Sequence, residues 1–236
     1  MNRRYDVLLC DADDTLFDFK KAEENAFAEI CAAASLGDPH ALLPVYSCIN
    51  AELWRLLERG GITQSALRTR RFEIFLKKIG RGELDAHQMG LDFADALSRQ
   101  GVLLPGALDA VQRWSRVLPV IVVTNGIARV QHGRMERCEA RHFISGMVIS
   151  EEVGAAKPDP RMLREGMALA GVTDARRALM LGDSLSSDIA AAANAQVDAC
   201  WFNPHGQRNE KGLPVAYEIR SLDEVDAILT GGREKA

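Results

Sequence analysis

Short apolar segments alternate along this chain with segments whose apolar residues recur at helical spacing. Five of the short segments predict β-strands, at residues 6–10, 120–123, 147–149, 178–181 and 198–202. Their apolar positions run on without a break, which is typical of strands buried on both faces of a parallel sheet. Because such strands alternate with helices, we predict an α/β fold in which a parallel sheet is flanked by helices.

One long segment, 19–102, interrupts this alternation because it shows helical periodicity alone. Three apolar stripes are typical of helices that pack on one face. They consist of Phe72, Phe75, Leu76 and Ile79, of Met89, Phe93 and Leu97, and of Ile49, Leu53, Leu56 and Leu57. The segment is too long for a loop. We therefore predict an α-helical cap domain (19–102) inserted into an α/β core domain (1–18 and 103–236), whose last residues, 231–236, fray.

The composition is that of a folded, enzyme-sized chain of 236 residues, of which 47% are hydrophobic. Its 29 basic and 33 acidic residues give a net charge of −4, which argues against a nucleic-acid polymer or an anionic membrane surface as partner, but not against a small anionic ligand. No apolar run approaches the ~18–20 residues of a membrane span. The five cysteines lack CxxC spacing. We therefore expect a cytoplasmic protein, and the sequence leaves its oligomeric state open.

Acidic residues follow the first and the fourth predicted strands. Asp11 and Asp13 come directly after the first strand and, being two residues apart, should point to one side of an extended chain. Asp183 follows the fourth strand, and Asp188 comes shortly after it. Taken singly, each segment could be an ordinary acidic turn that caps the following helix. Taken together, they supply an all-oxygen site of the kind that Mg²⁺ prefers.

The second predicted strand and a later loop carry groups suited to an anion. Thr124 and Asn125 supply a hydroxyl, an amide and main-chain N–H groups before a helix, and Lys157 precedes Pro158. Alone, the first pair could be a helix cap and the lysine a solvated surface residue. With the carboxylates they form the set needed for phosphoryl transfer to a carboxylate, where Mg²⁺ and a lysine offset the repulsion between two anions. A second carboxylate two residues on can donate a proton to the departing oxygen.

These four motifs, in this order, resemble those of the haloacid-dehalogenase-like (HAD) phosphohydrolase superfamily over essentially the whole chain. The resemblance implies a Rossmann-like HAD core with the sheet order 5-4-1-2-3, and it identifies the inserted segment with the helical C1 cap of that family. It further implies that Asp11 is the nucleophile. Asp13 is then the general acid/base, and its main-chain carbonyl joins the metal shell.

The resemblance also implies roles for the other motif residues. Thr124 and the main chain of Asn125 hold the phosphoryl oxygens, together with Lys157. Asp183 is a Mg²⁺ ligand, and Asp188 supports either the metal waters or the lysine. The implied cofactor is thus Mg²⁺, and the implied partner is a small-molecule phosphomonoester. The predicted metal set is Asp11, Asp13, Asp183 and Asp188.

Four segments are similar to those of bacterial house-cleaning pyrimidine-nucleotide 5′-phosphatases. They are 11–17, 70–73, 149–154 and 200–203. This similarity implies that the substrates are UMP, dUMP, dTMP and noncanonical pyrimidine nucleotides. Cys10 stands where many of these relatives carry Phe, a departure that leaves the catalytic residues untouched.

Other functions stay open on the same scaffold. A phosphatase or mutase for small sugar phosphates, or a phosphoglycolate phosphatase, would carry the same Asp11 and Asp13 and differ only in the cap. A dehalogenase is disfavoured, because its reaction needs neither an acid at Asp13 nor metal ligands at Asp183 and Asp188. A phospho-accepting receiver, which is a signalling switch, shares the acidic strand ends and a Lys-Pro loop. It carries its accepting aspartate, however, where this chain has the helical insert.

Overall fold

The structure, a computed structural model, describes residues 3–232; of the tail predicted to fray, 233–236 lie outside the described residues. Helices and strands follow one another as β1 (Val7–Cys10), α1 (Phe19–Ala33), α2 (Pro39–Glu58), α3 (Gln64–Lys78), α4 (Ala86–Ser98), α5 (Ala107–Ser115), β2 (Val120–Thr124), α6 (Ala128–Glu136), β3 (Gly146–Ile149), α7 (Ser150–Val153), α8 (Arg161–Leu169), β4 (Ala178–Gly182), α9 (Ala190–Ala195), β5 (Asp198–Phe202), β6 (Tyr217–Ile219) and α10 (Glu224–Leu229). None of the helices in this part of the chain is long and apolar enough to span a bilayer.

The described strands form one parallel sheet in the order β3-β2-β1-β4-β5-β6. The five predicted strands are confirmed to within one residue at each end, and so is the α/β fold class. Every residue of β1, β2 and β4 is buried, as continuous apolar runs in a parallel sheet require. β6 was not among the predicted strands. It is only three residues long and exposes its central Glu218 at the edge of the sheet.

The described chain divides into two compact units. The α/β unit comprises residues up to 19, 102–128 and those from 138 onward, and the helical unit comprises 20–101 and 129–137. Most of α6 therefore belongs to the helical unit, where Arg129 forms an ion pair with Asp95 of α4 at 2.5 Å. The helices approach closely at Gly133, where an added Cβ would lie 2.8 Å from the Cβ of Ser98. The domain boundaries drawn from the sequence stay a prediction.

Five aromatic rings fill the core of the helical unit, with neighbouring ring centroids 4.8–6.4 Å apart. They are Phe27, Tyr46, Phe72, Phe75 and Phe93. The predicted stripe on α4 is buried, and so are Phe72, Phe75 and Leu76 of the stripe on α3, whereas Ile79 follows the end of α3 and is half-buried. The stripe on α2 was drawn too long, because Ile49 and Leu53 are buried but Leu56 is 42% exposed. Leu56 lies near the end of α2, against the turn at Gly61.

A buried polar network crosses this aromatic core. The Asn50 amide donates to Glu23 Oε1 at 2.9 Å, and its Oδ1 accepts from Arg71 Nη1 at 3.1 Å. The other oxygen of Glu23 accepts from Ser47 Oγ at 2.8 Å. The Arg71 guanidinium lies 4.7 Å from the centroid of the Phe93 ring. The network thus joins three helices inside the unit through charged groups that are almost fully removed from water.

Candidate active site

Three aspartates meet at the carboxyl end of the sheet. Asp11 follows β1 and Asp183 follows β4. These two strands are neighbours in the sheet, and Cys10 of β1 pairs with Leu181 of β4. Asp188 joins them from the helical turn after β4. Each of the three offers a carboxylate oxygen, and these oxygens lie within 4.8 Å of one another. Parallel pairing of β1 with β4 therefore joins two acidic segments that lie far apart in the sequence.

The turn that carries Asp188 folds back on the end of β4. Asp188 Oδ2 accepts from the main-chain N–H of Ser184 at 3.0 Å. Any side chain at Gly182 would collide with the Asp188 carboxylate, so glycine is required at this point of the strand. Asp188 is only 1% exposed as a result. The ordinary acidic helix start considered from the sequence does not describe this residue, because its carboxylate faces the other aspartates.

Lys157 lies among these carboxylates and is itself 1% exposed. Its Nζ donates to Asp11 Oδ1 and, at 2.6 Å, to the main-chain carbonyl of Val123. An ion pair of 2.7 Å joins the same Nζ to Asp188 Oδ1. The ammonium thus donates two hydrogen bonds and lies beside a second carboxylate. The alternative that Lys157 is a solvated surface residue is thus wrong, because Lys157 is a buried counter-ion of the carboxylates.

The electrostatics of the cluster follow from burial and charge. Burial works to lower the pKa of Lys157, but the charges of Asp11 and Asp188 outweigh it and raise that pKa. Burial raises the pKa of Asp11 well above its usual value; the Lys157 ammonium lowers it, and the charges of Asp188 and Asp183 raise it further. The pKa of Asp183 rises to about 7, first through burial and then through the charge of Asp188. When all three carboxylates are ionised, as they would be beside a cation, they exceed the one ammonium by two negative charges.

The donor set fits a magnesium ion. An excess of two negative charges on closely spaced carboxylate oxygens is what a hard divalent cation offsets. Both oxygens of Asp188 already have partners in Ser184 and Lys157. Asp11 and Asp183 are therefore the better candidates for direct ligands, and Asp188 is better suited to orienting the lysine.

Asn125 ties the loop after β2 to the lysine loop. Its Nδ2 donates to the main-chain carbonyl of Lys157 at 2.8 Å, and its Oδ1 accepts from the main-chain N–H of Lys157 at 2.6 Å. The same amide donates to Ser187 Oγ at 3.3 Å. Thr124 is the last residue of β2 and is 2% exposed. Binding of phosphoryl oxygens by Thr124 and by the main chain of Asn125 stays a prediction.

The turn after Asp11 is not a helix cap. Two main-chain N–H groups, those of Leu16 and Phe17, donate to the carbonyl of Ala12 at 2.9 and 2.8 Å, whereas α1 begins only at Phe19. Asp13 is half-buried within this turn. Its carboxylate lies outside the cluster of three, and the metal ligand predicted for Asp13 is the main-chain carbonyl, which stays a prediction.

Comparison with known proteins identifies the family. A family model described as haloacid dehalogenase-like hydrolase matches residues 5–196. The chain belongs to this family. It is 29% identical to the pyrimidine 5′-nucleotidase YjjG of Escherichia coli, over 96% of this chain and 98% of that protein. It is 31% identical to the pyrimidine 5′-nucleotidase PynA of Streptococcus pneumoniae, over 94% of this chain and 93% of that protein.

A solved structure of the same family is similar over nearly the whole chain. It is the HAD-hydrolase YfnB of Bacillus subtilis in a magnesium-bound crystal form that reveals interdomain movement. The TM-score is 0.89 at 30% identity, and the match covers 96% of this chain and 99% of that one. The family resemblance drawn from the four motifs is therefore confirmed, as is the HAD-like fold.

This haloacid dehalogenase-like hydrolase also supports its site with residues that sequence reasoning did not assign to it. Thr15 is fully buried, and its hydroxyl donates to Asp183 Oδ1 at 3.4 Å. The Trp201 indole N–H donates to the main-chain carbonyl of Asp183 at 2.9 Å. The Ser187 hydroxyl accepts from the amide of Asn125, the residue that holds the lysine loop. A buried tryptophan near a strand end and polar residues beside charged ones were the only signals in the sequence.

Proposed function

We propose that this protein is a Mg²⁺-dependent phosphomonoester hydrolase that works through an aspartyl-phosphate on Asp11. The observation that carries the proposal is the buried Asp11 carboxylate, held by Lys157 within a cluster that has two negative charges in excess. Such a group is a nucleophile with its counter-ions close by, as phosphoryl transfer to a carboxylate requires.

The reaction proceeds in two displacements. The Asp11 carboxylate attacks phosphorus. A bond forms between its oxygen and phosphorus while the bond between phosphorus and the ester oxygen breaks. Asp13 donates its proton to the departing alkoxide. A water molecule then attacks the phosphoryl group, Asp13 takes a proton from it, and Asp11 leaves as a carboxylate with inorganic phosphate as product. Both carboxylates return to their starting state.

Charge repulsion between Asp11 and the phosphate dianion is the main obstacle to the first step. When bound, Mg²⁺ supplies the positive charge that offsets this repulsion. Asp11, Asp183 and the main-chain carbonyl of Asp13 would hold it, with Asp188 in support. Lys157 orients Asp11, and it can contact a phosphoryl oxygen by exchanging one of its present contacts with Asp11, Val123 and Asp188.

The phosphoryl oxygens are held by the loop after β2. The Thr124 hydroxyl and the main-chain N–H of Asn125 donate to them, beside the Lys157 ammonium. Because the Asn125 side chain is bonded to both main-chain groups of Lys157, the two phosphate-binding loops keep a fixed spacing. Such preorganised donors are effective because they need no rearrangement as charge moves.

The proposed substrates are pyrimidine nucleoside 5′-monophosphates: UMP, dUMP, dTMP and noncanonical analogues. The support is the name that YjjG and PynA share, at 29% and 31% identity over nearly the whole chain. The inserted helical cap, 19–102, is the segment in which we place selectivity for the nucleoside. The proposed compartment is the cytoplasm, in keeping with five cysteines of which no two form a disulfide.

The test combines a variant with a substrate screen. Asp11→Asn should abolish hydrolysis and keep the fold, whereas Asp109→Asn, on the exposed face of α5, should retain full activity. Appreciable turnover by the Asp11 variant would contradict the mechanism. The screen offers pyrimidine and purine 5′-monophosphates, phosphoglycolate and hexose phosphates, with Mg²⁺ or with EDTA. Preference for a sugar phosphate or phosphoglycolate would contradict the proposed nucleotidase activity but not the proposed phosphatase activity.

A further inference from the structure

Trp201 lies beside the carboxyl end of β4, where Asp183 leaves the sheet. Its main chain pairs with Gly182, the residue just before Asp183, and its side chain is 2% exposed. The indole N–H donates to the main-chain carbonyl of Asp183 at 2.9 Å. Trp201 is therefore bonded to the main chain of a residue that belongs to the carboxylate cluster.

Packing fixes the ring that makes this bond. Trp201 belongs to an apolar cluster that also contains Ile189 and Ala191, which follow Asp188 along the chain. The indole N–H is the only polar group of a tryptophan side chain. A ring held by apolar neighbours therefore presents its one donor in a defined direction, towards Asp183.

A second buried tryptophan shows that burial alone does not require such a bond. Trp114 of α5 is fully buried in the same unit, and its indole N–H has no partner within the described part of the chain. The fold thus leaves one tryptophan donor without an acceptor and directs the other to the site. This difference points to a local role for the bond made by Trp201.

We propose that Trp201 is a positioning residue for the metal site, because its N–H anchors the main chain of Asp183. The anchor holds the Asp183 carboxylate next to those of Asp11 and Asp188, in addition to the weaker contact from the Thr15 hydroxyl. Without this hydrogen bond, the main chain just after β4 has more conformational freedom, and the carboxylate oxygens must be brought back together when the ion binds. This inference rests on the proposed function, in which Asp183 is a magnesium ligand.

Trp201→Phe tests the role because it removes the N–H and keeps an aromatic ring. Calorimetric titration of the metal-free protein with MgCl₂ should show about three- to tenfold weaker binding, as expected for the loss of one hydrogen bond. At saturating Mg²⁺ the KM for a phosphomonoester should stay close to that of wild type. The matched control is Trp114→Phe, which makes the same change in a buried ring whose N–H has no partner, and it should leave Mg²⁺ affinity unchanged.

The outcomes separate the two proposals. Equal Mg²⁺ affinity in Trp201→Phe and wild type, or an equal loss in Trp114→Phe, would overturn the positioning role. Wild-type protein that binds no Mg²⁺ would contradict the proposed function and overturn this inference with it. Should Trp201→Phe not fold, the double variant Trp54→Phe/Trp114→Phe keeps Trp201 as its single tryptophan, which can be excited selectively. Its emission should then change on addition of Mg²⁺, and an unchanged emission under saturating Mg²⁺ would contradict the proposal.

Discussion

Replacing Lys157 with methionine removes the ammonium that lies among the carboxylates of Asp11, Asp183 and Asp188. Methionine has a similar length and no charge, so the change isolates electrostatics from packing. Lys157 is 1% exposed, and its ammonium donates to Asp11 and to the Val123 carbonyl and forms an ion pair with Asp188. Its loss leaves those carboxylates facing each other without compensation.

The size of the effect follows from that burial. Breaking a buried ion pair by removing one partner costs about 3–5 kcal/mol, because a charge is left buried and unpaired. For a chain of this length, this corresponds to a fall in Tm of roughly 6–20 °C. Mg²⁺ should restore part of the loss, because the Asp11 oxygen that accepted from Lys157 becomes available and no ammonium repels the ion. Saturating Mg²⁺ should therefore raise the Tm of Lys157→Met more than that of wild type.

The dependence on pH has a definite sign. The pKa of Asp11 is already raised in the wild type by burial, and loss of the ammonium that lowers it must raise it further. A carboxyl group with a raised pKa in the folded state contributes stability at low pH, and this contribution is lost as pH rises through the folded pKa. The deficit of Lys157→Met should accordingly be largest near pH 7 and shrink as pH falls towards 5.

Thermal and urea unfolding with EDTA and with Mg²⁺ measure these differences. The control is Lys211→Met, in which the same side chain is removed from an exposed position of the α/β unit; its stability should match wild type within about 0.5 kcal/mol. If metal-free Lys157→Met were as stable as wild type at pH 7, the charge balance described for the cluster would be wrong. A deficit that grew towards low pH would refute the argument as well.

Two further predictions concern the polar network of the helical unit. Asn50→Ala should destabilise the protein by about 2–4 kcal/mol in urea unfolding, because it leaves the charged groups of Glu23 and Arg71 buried without their bridge. Asn25→Ala, which removes an amide bonded only to the neutral Gln100, should cost less than about 1 kcal/mol, and equal losses would contradict the reasoning. Burial raises the pKa of Glu23 above its usual 4.5, so its contribution to stability is lost as pH rises through the folded pKa. The free energy of unfolding of Glu23→Gln, relative to that of wild type, should therefore increase from pH 4 to pH 7. A difference between the two proteins that does not change with pH would contradict this prediction.

The local pattern of apolar residues was sufficient to predict five strands of the sheet, because a fully buried parallel strand must be continuously apolar. Residues 178–181 and 199–202 show this pattern without interruption, and both lie in strands. β6 could not be found in this way, since an edge strand of three residues with an exposed Glu218 carries no distinct periodicity. Nor did periodicity reveal that most of α6 belongs to the helical unit, because that depends on the close approach at Gly133.

The candidate catalytic groups were predictable for a related reason. Parallel strands place their carboxyl ends at one edge, so polar residues that follow several strands must lie near each other. Asp11 and Asp183 are placed in this way by strand order alone, whereas Lys157 comes after α7, in a loop that Asn125 holds. The supporting contacts are of another kind. The bond from Trp201 to Asp183 depends on the direction of one indole N–H across two paired strands, which neither residue type nor spacing specifies.

The same distinction explains why the charge balance needed the structure. From the sequence, four carboxylates and one lysine were expected at the sheet edge, which leaves three negative charges in excess and no clear match to one divalent ion. The turn after Asp11 keeps the Asp13 carboxylate outside the cluster, and Lys157 pairs with Asp11 and Asp188. The excess is then two. The position of the Asp13 carboxylate outside the cluster of three is compatible with the acid/base role proposed for it, because that role does not require the carboxylate to be a metal ligand.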